Sequence, residues 1–167
     1  VGFFPGSTIG NFTPTEAAAF LEFSTSLLDC GDFVIGVDLK KDTEHLTAAY
    51  NDAEGITAAF NLNLLVRINR ELNGDFDIDA FEHRAHYDPQ KGRIEMHLVS
   101  RHAQSAAIDN HRFDFFKDET IHTENSYKYG LEEFQEIATN AGYQALDCWT
   151  DKDQLFSIHY LRAQDAT

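Results

Sequence analysis

The sequence is poor in cysteine, in basic residues and in long apolar runs, and each shortage excludes a class of protein. Two cysteines, Cys30 and Cys148, in 167 residues are too few for a disulfide scaffold and are typical of a reducing compartment. With 13 Lys and Arg against 28 Asp and Glu, the formal net charge is −15, which repels phosphate backbones and anionic lipids. No apolar run approaches the roughly 20 residues of a membrane-spanning helix. We therefore expect a cytoplasmic protein that binds neither nucleic acid nor membrane.

Methionine is scarcer still, because Met96 is the only one and the chain opens on Val1. Residues 1–4 are largely apolar, whereas chain termini are usually polar and frayed. We expect the sequence to be part of a longer protein, beginning at or inside a buried strand. Its 43% apolar and 13% aromatic content is nevertheless enough for a folded core.

The first 39 residues follow the pattern of one crossover unit of an α/β sheet. Residues 1–4 predict a strand, and a loop leads to Thr13, Pro14 and Glu16, which together form a helix-start signal and capping box. The helix is expected to end before Gly31. Residues 33–39 then form a nearly unbroken apolar run, which predicts a buried parallel strand.

The middle of the chain predicts an α+β insertion. Residues 43–52 indicate a short helix, and apolar residues at every fourth position from Ile56 to Leu72 predict a longer one. Alternation over residues 94–99 predicts a half-buried strand, and two further strands are expected around a turn at residues 109–110.

The final segment returns to the α/β pattern. A helix from Leu131 is expected to stop at Gly142, and residues 143–149 and 155–161 predict two strands.

Three groups of polar residues are candidates for function. Gly6, Gly10 and Asn11 follow the first strand, where open α/β sheets bind ligands, although an ordinary turn fits the pattern equally well. Residues 123–128 are strongly polar, and their pattern alone favours a solvated connection.

The eight histidines form the third group. They lack the cysteine pairs or the His-Glu-x-x-His helix of common metal sites, so we expect no metal. The chain also lacks the Gly-x-Ser-x-Gly turn of serine hydrolases and a Gly-x-Gly-x-x-Gly phosphate loop.

Several short motifs occur together in an order that points to one family. They are residues 6–11 (GSTIGN), 36–42 (GVDLKKD), 48–52 (AAYND), 55–61 (GITAAFN), 69–72 (NREL), 81–83 (FEH), 93–96 (RIEM) and 123–126 (TENS). The sequence resembles the S-adenosylmethionine-dependent histidine Nα-methyltransferases of ergothioneine biosynthesis, and the resemblance extends from about residue 3 to residue 161.

The resemblance implies a partial Rossmann-like class I methyltransferase sheet with an inserted α+β substrate-binding domain. Residues 1–40 and 129–167 would form the C-terminal half of the methyltransferase domain, and residues 41–128 the insertion. Strands four, five, seven and six of such a sheet would be retained, with the fourth strand at an edge. Because an exposed edge strand pairs readily with another chain, we expect a homodimer through it. Most of the S-adenosylmethionine site would lie upstream.

The resemblance also assigns roles to individual residues. Asn11 would bind the α-amino and carboxylate groups of the substrate, and Tyr50 the carboxylate. Glu124 and Ser126 would recognise the imidazole ring, with Met96 packed against it.

Gly6 would lie where the backbone approaches both the cofactor and the substrate amine. No side chain is assigned as a catalytic acid or base, and no metal is implied. The expected reaction methylates the α-amine of histidine three times to give hercynine.

Two alternatives remain open. The chain could be a non-catalytic small-molecule binding domain, or a methyltransferase that acts on another amino acid or amine. Retention of the residues assigned to histidine favours the histidine methyltransferase over both alternatives.

Overall fold

The structure, a computed structural model, describes residues 1–164; residues 165–167, the end of the predicted range 129–167, lie outside the described residues. Its helices are α1 (Pro14–Leu28), α2 (Thr43–Tyr50), α3 (Ile56–Glu71) and α4 (Leu131–Asn140). Short 3-10 helices span Thr8–Asn11 and Ile78–Ala80. The strands are β1 (Gly2–Phe4), β2 (Asp32–Asp38), β3 (Phe81–Asp88), β4 (Arg93–Ser100), β5 (Gln104–Ile108), β6 (His111–Phe115), β7 (Thr120–Tyr127), β8 (Tyr143–Thr150) and β9 (Phe156–Ala163).

The chain divides into two compact units. Unit 1 comprises Val1–Asp42, Asp88–Arg93 and the described residues from Asn125 onward. Unit 2 comprises Thr43–Tyr87 and Ile94–Glu124. Strand β7 therefore contributes its residues up to Glu124 to unit 2 and the rest to unit 1. No helix among the described residues is long and apolar enough to cross a membrane.

Unit 1 is built on a four-stranded sheet in the order β1-β2-β9-β8. β1 and β2 are parallel, as the crossover pattern of the first 39 residues predicts. β9 runs antiparallel to both β2 and β8, so the sheet is mixed. This order is the four-five-seven-six arrangement expected for the retained part of a class I methyltransferase sheet.

The core of unit 1 lies between this sheet and helices α1 and α4. Phe33, Ile35 and Val37 alternate along β2 and are buried in one cluster with Leu21 of α1 and Phe134 of α4. Helix α1 begins as predicted, because Thr13 caps its N-terminus and Glu16 completes the capping box.

Helix α1 ends at Leu28, before Gly31, as predicted. The left-handed backbone at its end is adopted by Asp29 and Cys30, with φ of 43° and 60°, and not by Gly31. Gly31 has a different role there, because a Cβ at that position would lie 2.6 Å from the Leu28 carbonyl oxygen. The glycine permits close approach rather than a left-handed turn.

Unit 2 contains the three-stranded sheet β3-β4-β7, the hairpin β5-β6 and helices α2 and α3. β4 is more buried than the predicted half-buried strand, since Glu95 and Val99 are buried along with Ile94, Met96 and Leu98. Its central position between β3 and β7 explains this burial.

Helix α3 spans nearly the predicted range but presents a different face to the core. Ile56 and Phe60 are exposed, whereas Asn61 and Leu65 are buried. A repeat of four residues drifts around a helix of 3.6 residues per turn, so the predicted apolar stripe does not stay on one face.

Candidate functional site

The loop after β1 is held in a defined shape beside the end of β2. Gly6 and Ser7 both adopt left-handed backbone, with φ of 74° and 57°. The Ser7 hydroxyl oxygen accepts a hydrogen bond of 2.9 Å from the backbone N–H of Asp38. Ile9 is fully buried and anchors the short 3-10 helix, which leaves Asn11 exposed at its end. The loop therefore offers open backbone at Gly6 and an exposed amide side chain at Asn11.

Ser126 lies next to this loop. A Cβ added to Gly10 would meet the Tyr127 carbonyl oxygen at 2.7 Å and the Ser126 Oγ at 3.6 Å. Position 10 thus tolerates only glycine without displacement, because backbone atoms cannot move aside as a flexible side chain can. Within unit 1 the structure brings together the loop that carries Gly6 and Asn11 and the predicted imidazole-binding hydroxyl of Ser126.

A buried ammonium group, absent from the sequence predictions, supports Ser126. Lys128 Nζ donates to Ser126 Oγ at 2.8 Å and lies 2.6 Å from Asp38 Oδ2. Lys41 Nζ donates to the other oxygen of the same carboxylate, Asp38 Oδ1, at 2.7 Å. Together these four side chains form what we call the Asp38 network (Asp38, Lys41, Ser126 and Lys128). Asp38 is the last residue of β2 and Lys41 follows three residues later, whereas Ser126 lies in β7 and Lys128 directly after it.

Backbone hydrogen bonds fix the position of Lys128. The Lys128 N–H donates to the Gly92 carbonyl at 2.9 Å, and the next residue, Tyr129, donates to the Asp38 carbonyl at 3.2 Å. The chain after β7 therefore runs beside the end of β2, which explains why a lysine at this position reaches Asp38. One sequence signal could have indicated the lysine, because residues 124, 126 and 128 alternate along an extended segment.

Tyr50 and Met96 lie in one apolar cluster of unit 2. Met96 is buried with Leu46, Ala85 and Ile94, and Tyr50 packs against this cluster while remaining half-buried. The Tyr50 carbonyl oxygen lies 2.8 Å from Nε2 of His83, which ties the end of α2 to β3. Tyr50 and Met96, both predicted to contact the substrate, thus lie in the same apolar cluster.

Glu124 lines a cavity of about 170 Å³ within unit 2. The other lining residues are Phe60, Asn61, Asn63, Leu64, Arg67 and Thr123. Neighbouring Thr123 is held by a 3.0 Å hydrogen bond to the Met96 carbonyl. The carboxylate thus stands at a small concave surface whose walls are apolar and amide side chains and the guanidinium of Arg67, rather than on a solvated connection. The polar stretch that contains it is part of strand β7.

His86, Glu95 and His97 form a second polar cluster of unit 2. Glu95 Oε2 lies 3.6 Å from Nε2 of His86 and 3.4 Å from Nε2 of His97, and the His97 ring stacks between those of His86 and His122. Burial lowers the pKa of His97, which favours a neutral imidazole. Its buried Nδ1 has no hydrogen-bond partner, whereas a metal-bound imidazole normally has one on its second nitrogen. We interpret the group as a hydrogen-bonded cluster, and the absence of a metal stays a prediction.

The predicted site residues thus fall into two sets. Unit 1 carries Gly6, Asn11 and Ser126, and unit 2 carries Tyr50, Met96 and Glu124. Glu124 and Ser126 are two residues apart in β7, so strand geometry places their side chains on the same side of that strand.

The fold identifies the general class of protein. A solved structure from Clostridium acetobutylicum ATCC 824, described as an S-adenosylmethionine-dependent methyltransferase, superposes with a TM-score of 0.50 at 9% identity. The match covers 98% of this chain and 57% of that one. The chain therefore has the α/β fold of S-adenosylmethionine-dependent methyltransferases.

The sequence comparisons then identify the family. A family model described as histidine-specific methyltransferase, SAM-dependent, matches residues 1–163, so the chain belongs to that family. The histidine N-alpha-methyltransferase of Mycolicibacterium smegmatis is 46% identical over 152 residues, which are 89% of this chain and 47% of that protein. The protein of the same name from Mycobacterium tuberculosis is 40% identical over 158 residues, which are 93% of this chain and 49% of that protein. The chain spans about half the length of these curated relatives.

Proposed function

We propose that this chain is part of an enzyme that transfers methyl groups from S-adenosylmethionine to the α-amino group of L-histidine, with hercynine as the product of three transfers. The observation that carries the proposal is the match of a histidine-specific family over residues 1–163. The two relatives named as histidine N-alpha-methyltransferases, at 46% and 40% identity, support the same substrate.

In this proposal, the amino-acid end of histidine binds to Asn11 and Tyr50. Asn11 is exposed at the end of its 3-10 helix, and its amide offers both donors and an acceptor for the α-amino and carboxylate groups. The Tyr50 hydroxyl donates to the carboxylate, and packing of the ring in its apolar cluster supports this role.

The imidazole ring binds to Glu124 and Ser126, with Met96 against its face. A neutral imidazole has one donor and one acceptor nitrogen, which a carboxylate and a hydroxyl complement. The position of Glu124 in a small concave surface with Phe60 and Leu64 among its walls supports recognition of a small ring.

Gly6 is proposed to lie against the cofactor. The loop follows β1, at the carboxyl end of a parallel strand, where α/β sheets bind their ligands. Apart from Gly6 and its two chain neighbours, no described residue places an atom within 4 Å of a Cβ added to Gly6. The backbone there is open to a ligand, and the residues present fit this role. Most of the other contacts to S-adenosylmethionine are proposed to lie upstream of this chain.

The chemistry requires positioning more than acid–base catalysis. When bound, S-adenosylmethionine supplies an electrophilic methyl group on its sulfonium sulfur. The residues of this chain would hold the neutral histidine amine with its nitrogen lone pair toward that methyl group. Each transfer would form one N–C bond and break one C–S bond, and the first two products would lose the ammonium proton to solvent before the next transfer. A free α-amine has a pKa of about 8, so modest desolvation yields the neutral form. Alignment of this kind supplies most of the rate enhancement, and the proposal includes no catalytic side chain or metal.

The domain assignment is part of the proposal. Residues 41–128 act as the inserted substrate-binding domain, and residues 1–40 and 129–167 as the second half of the methyltransferase domain. The division into two compact units supports it, although residues 41–42, 88–93 and 125–128 group with unit 1 rather than with the insertion.

A homodimer of this chain by itself, formed through strand β1, is also proposed. β1 is an edge of the described sheet, and the side chain of Phe3 is 72% exposed. Light scattering after size exclusion should give twice the chain mass for the wild type and the monomer mass for Phe3→Lys. Phe116→Lys is the matched control, because Phe116 is 78% exposed but lies outside the edge strand. A cytoplasmic location completes the proposal, and the low count of two cysteines supports it.

The decisive experiment uses the product of the complete open reading frame that encodes this chain. Incubation with S-adenosylmethionine and a panel of amino acids should yield trimethylated histidine and little product from the others. Binding of histidine without methyl transfer would favour the alternative of a non-catalytic binding protein. Preferential methylation of another amino acid or amine would favour the second alternative.

A further inference from the structure

We propose that His83 is a positioning residue for Tyr50, because it holds the end of helix α2 against strand β3 and so sets where the Tyr50 hydroxyl meets the carboxylate of histidine. The inference rests on the proposed function, in which Tyr50 binds that carboxylate, and adds to it a residue that acts through Tyr50. All the side chains that carry the inference belong to unit 2.

The side-chain amide of Asn61 has a defined orientation. Its Nδ2 lies 3.2 Å from the carbonyl oxygen of His97 and 3.0 Å from Nδ1 of His83. A carbonyl oxygen can only accept, so the atom that faces it is the amide nitrogen, which has two hydrogens to donate. One hydrogen goes to His97 and the other to His83. Nδ1 of His83 is therefore a hydrogen-bond acceptor, and burial of Asn61 limits competition from water.

The ring of His83 is consequently fixed in one tautomer. Because Nδ1 accepts, Nε2 carries the proton, and it donates across 2.8 Å to the Tyr50 carbonyl oxygen. An imidazole that is hydrogen-bonded on both nitrogens keeps a single orientation. His83 thus supplies a fixed N–H donor to the last residue of α2.

The end of α2 depends on donors of this kind. The last carbonyl groups of a helix have no partner within it, and Tyr50 is the final residue of this one. Asn51, the next residue, adds a second attachment to β3, because its side chain donates to the Ala85 carbonyl at 2.9 Å and accepts from the Ala85 N–H at 3.1 Å. The backbone around Tyr50 is therefore held to β3 at two successive residues.

Loss of the His83 donor should displace the Tyr50 side chain. Helix α2 has only eight residues, so packing and contacts such as this one determine its position more than its own hydrogen bonds do. The hydroxyl lies at the far end of a long side chain, where a small rotation of the backbone becomes a larger displacement. A hydrogen bond to the substrate carboxylate is sensitive to such a displacement. His83 therefore affects the amino-acid end of the substrate without touching it.

The test is a double-mutant cycle on the product of the complete open reading frame, measuring the KM for histidine and for S-adenosylmethionine. His83→Asn keeps an acceptor for Asn61 but is too short to reach the Tyr50 carbonyl, and Tyr50→Phe removes the hydroxyl. Each should raise the KM for histidine about tenfold and leave that for S-adenosylmethionine within about twofold. The double variant should be no worse than Tyr50→Phe alone, because His83 acts through Tyr50.

Two further variants separate positioning from stability. His83→Gln places an amide nitrogen near the position of Nε2, so the KM for histidine should return to within about threefold of the wild type. Asn69→Ala is the matched structural control, because the Asn69 side chain bonds to both backbone groups of Phe76, as the Asn51 side chain bonds to those of Ala85. It should lower the thermal unfolding temperature and leave the KM for histidine unchanged.

Several outcomes would overturn the inference. Multiplicative effects in the cycle, or a KM in His83→Gln as high as in His83→Asn, would mean that His83 does not act through the Tyr50 carbonyl. An equal rise in Asn69→Ala would mean that general destabilisation of unit 2 is responsible. A wild-type protein that does not methylate histidine would refute the proposed function itself, whereas an unchanged KM in an active His83→Asn enzyme would refute only the role of His83.

A measurement on the wild type keeps the inference falsifiable if His83→Asn fails to fold. Side-chain ¹⁵N NMR of the complete gene product should show the His83 imidazole protonated on Nε2 alone, with the signal assigned by its loss in His83→Gln. Protonation on Nδ1 would exclude the hydrogen bond from Asn61 and overturn the inference.

Discussion

At the scale of single residues, Glu124 carries the proposed choice of substrate. Its carboxylate lines the cavity in unit 2, and loss of one hydrogen bond to a buried polar group costs about 1–3 kcal/mol. Glu124→Ala should therefore raise the KM for histidine about tenfold to a hundredfold and leave the KM for S-adenosylmethionine nearly unchanged. Asn11→Ala should impair every amino-acid substrate alike, because that residue contacts the part they share.

Methylation assays with histidine and a panel of amino acids separate these two effects. Glu136→Ala on the exposed face of α4 is the control for loss of one negative charge. An unchanged preference for histidine in Glu124→Ala would refute the imidazole assignment and favour another amine as the substrate.

His159 makes the stability of unit 1 sensitive to acid. It is fully buried against Phe134, and burial lowers the pKa of its imidazole to about 4. Between pH 6.5 and pH 4 the unfolded chain binds a proton that the folded chain does not. The free energy of unfolding should therefore fall as the pH is lowered through this range, by about 3 kcal/mol from this group.

Denaturant unfolding at pH 7 and pH 4.5 measures this dependence. His159→Leu should lose much of the difference between the two pH values, and Ser157 would keep its 3.2 Å bond to the Val37 carbonyl. His111→Leu on β6 is the exposed control and should retain the wild-type dependence. Equal pH dependence in His159→Leu and the wild type would contradict the assignment.

At the scale of elements, the start of α1 is the clearest case of local sequence determining structure. Thr13 Oγ1 accepts from the Glu16 N–H at 3.3 Å, and Glu16 Oε2 accepts from the Thr13 N–H at 2.8 Å. Thr13→Ala removes the cap and should lower the free energy of unfolding by about 1 kcal/mol. Thr15→Ala, two residues along and exposed, should have a much smaller effect, as thermal unfolding would show.

Helix α1 and strand β7 differ in how well local sequence patterns predict them. Thr13, Pro14 and Glu16 act within one helical turn, so their effect can be predicted from sequence. Strand β7 has the sequence TIHTENSY, in which polar residues occupy both faces, so the alternation of apolar residues gives little signal. Its strand character depends on pairing with residues far along the chain.

The proposed site likewise contains residues that the sequence predicts and one residue that only the structure reveals. The family resemblance supplies Glu124 and Ser126, since they form a recognisable motif. Lys128 acquires its role from Asp38, which precedes it by 90 positions in the chain and reaches it only through the fold. The alternation of residues 124, 126 and 128 can indicate the side of the strand on which Lys128 lies, but not so distant a partner, which is why sequence analysis missed the Asp38 network.

At the scale of the whole molecule, the chain contains only part of the methyltransferase that we propose. It spans 47% and 49% of the two mycobacterial relatives, and we place most of the cofactor contacts outside it. Calorimetric titration of this chain with S-adenosylmethionine should therefore show weak binding or none, and the chain alone should transfer no methyl groups.

The complete gene product is the positive control for that titration and should bind the cofactor and methylate histidine. Micromolar affinity of this chain alone would mean that the cofactor site lies within residues 1–167.

The burial of Lys128 also makes it a chemical reporter of local opening. An acylating reagent reacts with a lysine only when the amine is deprotonated and accessible, and the side chain of Lys128 is 1% exposed while that of Lys152 is 89% exposed. Mass spectrometry of a labelling time course should show Lys152 modified at once and Lys128 only at the rate at which the segment around β7 separates from β2. The ratio of the two rates measures the free energy of that separation. If histidine bridges Glu124 and Ser126, it should slow the labelling of Lys128 in proportion to its occupancy and leave that of Lys152 unchanged.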